Sequence, residues 1–246
     1  MLASLSAIQC TALCTTENFL SKPTEARRRI SDVGWLSRQP LEFREALLDR
    51  CVLRTYAPGE SLFGLDDPPG GVYGVAEGFV DALIASSVGP PLLAFIGSAG
   101  WWVGEAAAIT RTHHRAELRT RSATQAFYLS LTKFQELTAA DPRAFRSFSE
   151  LTITHMDNAF MLASTLAATD KGSRIVATLY RLAGSFREIS DQFELPCKQS
   201  EIAEMAGLSR NSAGPVLRRL ATEGLIQIGR NQVRYNPVHL RRALNL

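Results

Sequence analysis

Several things are missing from this 246-residue chain, and each absence removes a class of protein. No apolar run approaches the roughly 18 residues of a membrane span. The first twenty residues hold no Lys or Arg, so the charged start of a secretory signal is lacking. Cysteines number four (Cys10, Cys14, Cys51, Cys197), scattered and too few for a disulfide scaffold. Together these predict a cytoplasmic protein with reduced thiols and no membrane partner. No Gly-rich phosphate loop, nucleophile elbow or zinc-type spacing occurs, and Ser, His and Asp fall in no catalytic arrangement, so no enzyme is read and no catalytic or metal site is assigned. His113-His114 in a polar loop reads as a solvated pair.

What is present is a charge asymmetry. Residues 171–246 carry 12 Lys/Arg against 6 Asp/Glu, and the remaining 170 carry 15 against 18. A mildly acidic body with a basic tail fits a sensor joined to a nucleic-acid binder.

Residues 1–34 show little periodicity and read as an N-terminal extension with room for a short helix; 41–50 is a short amphipathic helix. From 51 to 131 short apolar or alternating runs (52–57, 61–63, 72–76, 79–85, 92–96, 116–121 and 125–130) are separated by turn chemistry such as Pro58-Gly59, Asp67-Pro68-Pro69-Gly70-Gly71 and Gly89-Pro90-Pro91. Closely spaced short strands imply an antiparallel barrel or sandwich. Asp141-Pro142 is a cap followed by a residue suited to the first helical position, and the helical pattern then holds to about Thr169. Its apolar residues wrap more than one face, so one face covers the sheet and another asks for a second copy of the chain. The seam through Phe148, Ala159 and Leu162 is interrupted by Thr152 and His155.

Lys171-Gly172 breaks the helix and is read as the domain hinge, and residues 173–183 form another amphipathic helix. Two further helical patterns then flank Gly207-Leu208-Ser209. Ala213, Val216, Leu217 and Leu220 lie on one face of the second, Gly207 supplies a positive φ, and Ser209 caps. This is a helix-turn-helix. Its free face carries Arg210, Asn211 and Arg218, types suited to base edges and phosphates, and Pro215 predicts a kink just after the reading turn. Ile226-Gln227-Ile228 and 232–235 around Gly229-Arg230-Asn231 read as a hairpin wing.

These residues carry a resemblance. The run from Gln199 through Glu201-Ile202-Ala203, Met205, Gly207 and Ser209-Arg210, followed by Gly214, Leu217, Leu220 and Gly224-Leu225-Ile226, resembles the Crp/Fnr family of bacterial transcription regulators. Tyr56-Ala57-Pro58-Gly59-Glu60-Ser61-Leu62-Phe63 and Val72-Tyr73-Gly74-Val75 resemble the opening of a cyclic-nucleotide-binding β-roll. Gly104-Glu105 with Arg115 ten positions on resembles its phosphate-binding cassette. The resemblance implies an α+β architecture: a jelly-roll-like antiparallel β-roll over 35–140, a dimerisation helix over 141–170, and a winged helix-turn-helix over 171–246. It implies a homodimeric, sequence-specific DNA-binding regulator on a near-palindromic duplex site, with RNA polymerase as a further partner. Lys198, Gln199, Ser209, Arg210, Asn211, Ser212 and Arg218 are the expected DNA-binding residues.

Gly104, Glu105, Arg115 and Ala116 are the candidate ligand residues. No cofactor is fixed by them; a cyclic nucleotide, another small effector and no ligand all stay open, with cyclic AMP disfavoured. Ala116 stands where the cyclic-AMP receptor has a serine, and Ala159 and Phe160 stand where adenine would meet hydroxyls. Pro215 replaces a second base-reading arginine. Glu105 and Arg115 could instead pair with each other. An iron–sulfur cluster needs four thiolates; Cys10 and Cys14 offer two near the N-terminus, and Phe127 occupies the internal ligand position. A redox-responsive or ligand-independent regulator, and a winged helix that binds protein rather than DNA, are the alternatives.

Overall fold

The computed structural model describes residues 22–86, 89–186 and 192–244. Cys10 and Cys14 lie outside them.

Three helices open the described chain: α1 (Pro23–Asp32), α2 (Gly34–Ser37) and α3 (Leu41–Leu48). Eight strands follow among the described residues: β1 (Val52–Tyr56), β2 (Ser61–Phe63), β3 (Gly71–Glu77), β4 (Val80–Ile84), β5 (Leu92–Gly97), β6 (Trp102–Val103), β7 (Ala116–Thr120) and β8 (Thr124–Ser130), with α4 (Glu105–Thr110) between β6 and β7. They form two antiparallel four-stranded sheets, in the orders β1-β8-β3-β6 and β2-β7-β4-β5. Each predicted strand window is found, shifted by a residue or so. The Trp102–Val103 strand and α4 were not read.

The first sheet packs under the N-terminal helices. Ala26, Ile30, Trp35 and Leu36 are buried with Val72, Ala76, Phe127 and Leu129, so residues 23–34, read as an extension, are joined to the sensor body. Trp35 sits at the centre of an aromatic cluster, 5.7 Å from Phe43, 5.8 Å from Trp102 and 5.6 Å from Phe148 between ring centroids. Its indole N–H donates to the Ser147 carbonyl at 3.1 Å, which satisfies the polar end of a buried ring.

α5 (Leu131–Ala140) leads into α6 (Pro142–Ala167). Asp141 caps α6 by accepting from the Arg143 amide, and Pro142 takes the first helical position, as the sequence predicts. At 26 residues, α6 is about 39 Å long. Its inward face buries Ala144, Ser147, Phe148 and Leu151. Thr152 and His155 belong to this face too, where both bond to Glu105. They interrupt no seam. The exposed apolar residues lie one position on: Ile153 (51%), Met156 (43%) and Phe160 (61%). With Ala163 and Ala167, also exposed, they recur at alternating steps of three and four, an unbroken heptad stripe.

α7 (Lys171–Leu182), capped by Asp170, begins the C-terminal unit. Lys171-Gly172 therefore starts a helix, and the break is at Ala168–Asp170. A 3-10 turn (Gly184–Phe186), β9 (Phe193–Leu195), α8 (Gln199–Met205), α9 (Arg210–Thr222), β10 (Ile226–Gly229), β11 (Gln232–Tyr235) and α10 (Pro237–Ala243) complete it. β10 and β11 pair antiparallel as the wing, with β9 on the far edge of β11. The buried Tyr235 hydroxyl donates to the Leu179 carbonyl at 2.8 Å and ties the wing to α7. No helix among the described residues is long and apolar enough to cross a membrane.

Candidate nucleic-acid interface

α8 and α9 are positioned by what they bury. Ile202, Ala203 and Met205 on α8 and Ala213, Leu217 and Leu220 on α9 join one core with α7 and the wing. Between the helices Gly207 has φ +62, and the Leu208 amide donates to the Ala203 carbonyl at 2.8 Å. That closes α8 and swings the chain round. The Ser209 hydroxyl then accepts from the Ser212 amide at 3.2 Å and caps α9.

With the apolar face buried, α9 must show its other side. Arg210, Asn211, Pro215 and Arg218 are exposed, as are Lys198 and Gln199 at the start of α8. Gln199, Arg210, Asn211, Gly214, Pro215 and Arg218 line one groove. Helix α9 runs on through Pro215 from Arg210 to Thr222, so the proline does not end it. Pro215 is only the sixth residue of the helix, and the lost rung is a single one near its start. Arg230 was missed as a candidate. It is exposed at the wing tip beside Asn231, whose φ of +60 makes the tight turn. Its signal in the sequence was a basic residue in the Gly229-Arg230-Asn231 turn.

The reading unit is held to the sensor. Arg121, one residue past β7, donates to Asp81 at 2.6 Å, to both carboxylate oxygens of Glu201 at 3.0 and 3.1 Å, and to the Pro196 carbonyl at 2.9 Å. Glu201 also accepts from the Lys198 amide at 2.7 Å. Burial by itself would raise the Glu201 carboxyl, but the Arg121 and Lys198 bonds outweigh it and hold the group below its ordinary value. At Asp81 burial dominates instead and the carboxyl is pushed up.

A depressed carboxylate lends stability that is complete above its unfolded value, about 4.3, and is lost as pH falls through the folded one. The Glu201 contact should therefore hold from neutral pH down to the unfolded value and be lost only in more acid solution, as pH falls through the depressed folded value. Glu201→Gln should reproduce the acid state at pH 7. Allowing for solvent at this half-buried site, the loss should be about 1 kcal/mol, seen as roughly fivefold faster hydrogen exchange of α8 amides. Unchanged α8 exchange would show that the contact bears no load.

Of the cassette candidates, Gly104 caps α4 and Glu105 opens it, while Arg115 precedes β7 and Ala116 opens that strand. Gly104 has φ +101, where a Cβ would meet the Gly71 carbonyl oxygen at 2.5 Å. Glu105 is 1% exposed and turns toward α6. It accepts from the Thr152 hydroxyl at 3.2 Å and lies 2.9 Å from His155 Nδ1. Arg115 is exposed and Ala116 half-buried at the start of β7, so the Glu105–Arg115 pair entertained from the sequence does not form. His114 is not solvated: it is buried and stacked on Phe63 at 3.7 Å, while His113 is exposed. Cys51 and Cys197 are free thiols, both pushed up by burial, Cys51 to about 12, and so are poor nucleophiles.

Residues 173–243 match the Crp-like helix-turn-helix domain, and residues 53–141 match the cyclic nucleotide-binding domain. The CRP-like protein Clp of Xanthomonas campestris pv. campestris is 30% identical over 191 residues, covering 74% of this chain and 83% of that protein. The cAMP-activated global transcriptional regulator CRP of Haemophilus influenzae is 24% identical over 204 residues, covering 80% and 91%. FixK2 from Bradyrhizobium japonicum shares the fold, with a TM-score of 0.67 at 19% identity, over 78% of this chain and 96% of its own. With sheets, long helix and helix-turn-helix in this order, and a 30% identical relative matched over most of its length, the chain belongs to the Crp/Fnr family of DNA-binding transcription regulators.

Proposed function

We propose that the protein works as a homodimer that reads a near-palindromic duplex site, one α9 in each of two successive major grooves. The observation that carries this is the exposed row of Gln199, Arg210, Asn211 and Arg218 along one groove of the helix-turn-helix. In such motifs the first residues of the second helix meet base edges. Arg210 and Asn211 are those residues; an arginine pairs bidentately with guanine and an asparagine with adenine. Lys198 and Arg218 flank them and suit phosphates. The heptad stripe of α6 supports the dimer, since it leaves Phe160 and its neighbours needing cover. Cyclic AMP is not the effector on this reading. Ala116 brings no hydroxyl where the resemblance places one; Glu105 bonds Thr152 and His155 through Oε1 and leaves Oε2 without a partner among the described residues.

Site selection from random duplex DNA tests the proposal. A single near-palindromic site should emerge, with affinity that falls steeply with salt. Binding with no sequence preference would overturn it. Pro215 offers no donor, so the selected half-site should differ from that of Pro215→Arg, which adds a bidentate donor worth about 1–3 kcal/mol at one base pair. Identical selected sites would remove Pro215 from the reading face.

A further inference from the structure

The long helix and the C-terminal unit are connected by a short joint. Helix α6 ends at Ala167 and α7 starts at Lys171, so only Ala168, Thr169 and Asp170 lie between them. Ala168 and Asp170 both have extended backbone. A few residues between two helices are where one unit swings against another. What sets the angle must therefore come from contacts that bypass the joint.

Two arginines make such contacts. Arg181 on α7 donates through Nη1 to the Ala94 carbonyl of β5 at 2.8 Å. Arg121 reaches the helix-turn-helix itself. Its backbone amide donates to the Phe79 carbonyl at 2.8 Å and its Nε to Asp81 at 2.6 Å, so main chain and side chain are both fixed to the sensor. The two outer nitrogens point the other way. Nη2 donates to Glu201 Oε1 at 3.0 Å, and Nη1 to Glu201 Oε2 at 3.1 Å and to the Pro196 carbonyl at 2.9 Å. The Arg121 side chain is only 15% exposed. A planar fork that meets a carboxylate with two parallel bonds fixes direction as well as distance, which a lysine cannot do. Glu201 is on α8, and α8 shares one core with α9. Neither Arg121 nor Glu201 lines the groove that holds Arg210, Asn211 and Arg218.

We propose that Arg121 is a positioning residue for half-site spacing: through Glu201 it fixes each reading unit on the body that dimerises, so that the pair accepts one separation of half-sites. This rests on the dimer and the DNA reading proposed above. In two-fold binders the separation of half-sites mirrors the separation of the reading helices. One added base pair moves a half-site by about 3.4 Å and turns it by about 35°. To follow it, the reading units must swing at Ala168–Asp170. The fork cannot follow, because hydrogen bonds fail beyond about 3.5 Å. The Arg121–Glu201 contact then breaks, and its loss is the penalty for wrong spacing.

The test measures the affinity of the full-length protein for its selected site and for the same site with one base pair added or removed at the centre. The quantity read is the ratio of the two. At roughly fivefold for each contact, Arg121→Ala should lower the discrimination by roughly 5- to 25-fold, according to whether one protomer or both must swing. Glu201→Gln, which keeps the side chain's shape, should do the same, and the double variant should do no more than either alone. The half-site sequence selected should not change. A damaged fold would instead weaken both sites alike and leave the ratio where it was. Arg119→Ala is the control, since Arg119 pairs with Glu117 inside the sensor; its ratio should equal that of the unaltered protein. Unchanged discrimination in Arg121→Ala and Glu201→Gln, additive effects in the double variant, or an equal fall in Arg119→Ala would overturn the proposal. An unaltered protein that selects no site would remove the DNA reading itself and this role with it, whereas a selected site with an unmoved ratio removes only the role of Arg121.

Discussion

Arg210→Ala is expected to abolish site-specific DNA binding and leave the fold intact. Arg210 is the first residue of α9 and exposed. It carries no part of the cap, which Ser209 and Ser212 supply. A bidentate arginine–guanine contact is worth about 1–3 kcal/mol, and a dimer makes it twice, so the loss should reach about 2–6 kcal/mol, roughly 30- to 10⁴-fold in affinity. Fluorescence anisotropy against the selected site measures it. Binding to unrelated duplex should hardly change, because that term comes from phosphates. Lys198→Ala should behave in the opposite way, weakening all sequences alike and flattening the salt dependence. If Arg210→Ala keeps the selected site at full affinity, the orientation proposed for α9 is wrong.

The second large effect is expected at the α6 stripe. Phe160 is 61% exposed in the protomer, so Phe160→Glu should not disturb the protomer's fold. Across a two-fold seam, however, it would remove a buried aromatic from each partner and set two carboxylates against each other. Burying a phenylalanine contributes about 1.5–3 kcal/mol, so two lost copies alone weaken the dimer by about 3–6 kcal/mol, or 10²- to 10⁴-fold. Light scattering should show a monomer at micromolar concentration with unchanged circular dichroism. Specific DNA affinity should fall with it, since each half-site would then be bound alone. A Phe160→Glu protein that stays dimeric would place the partner on another surface.

How much of this could be read from the chain varies with the range of the interactions involved. The roll's strands were legible because Pro-Gly and Asp-Pro-Pro-Gly-Gly turns bound short alternating runs, and the helix-turn-helix because Gly207, Ser209 and the Ala213–Leu217–Leu220 face are all local signals. The inward face of α6 was not legible. Thr152 and His155 look like polar flaws in a seam until Glu105, 47 and 50 residues away, is seen to take both. Ala26 and Ile30 in α1 are too sparse a pattern to announce burial, and only the sheet they cover explains them. The Arg121–Glu201 contact spans 80 residues and has no periodic signature at all.

Helix α6 presents two faces with side chains one residue out of step. Thr152 and His155 answer to the roll, and Ile153 and Met156 face outward. One residue is 100° of turn on an α-helix. A roll of that size about the long axis would carry threonine and histidine into the proposed subunit contact and drive isoleucine and methionine against a carboxylate. In the proposed dimer, the bonding of Glu105 would thus fix the azimuth at which two protomers meet, and with it the spacing of the paired reading heads.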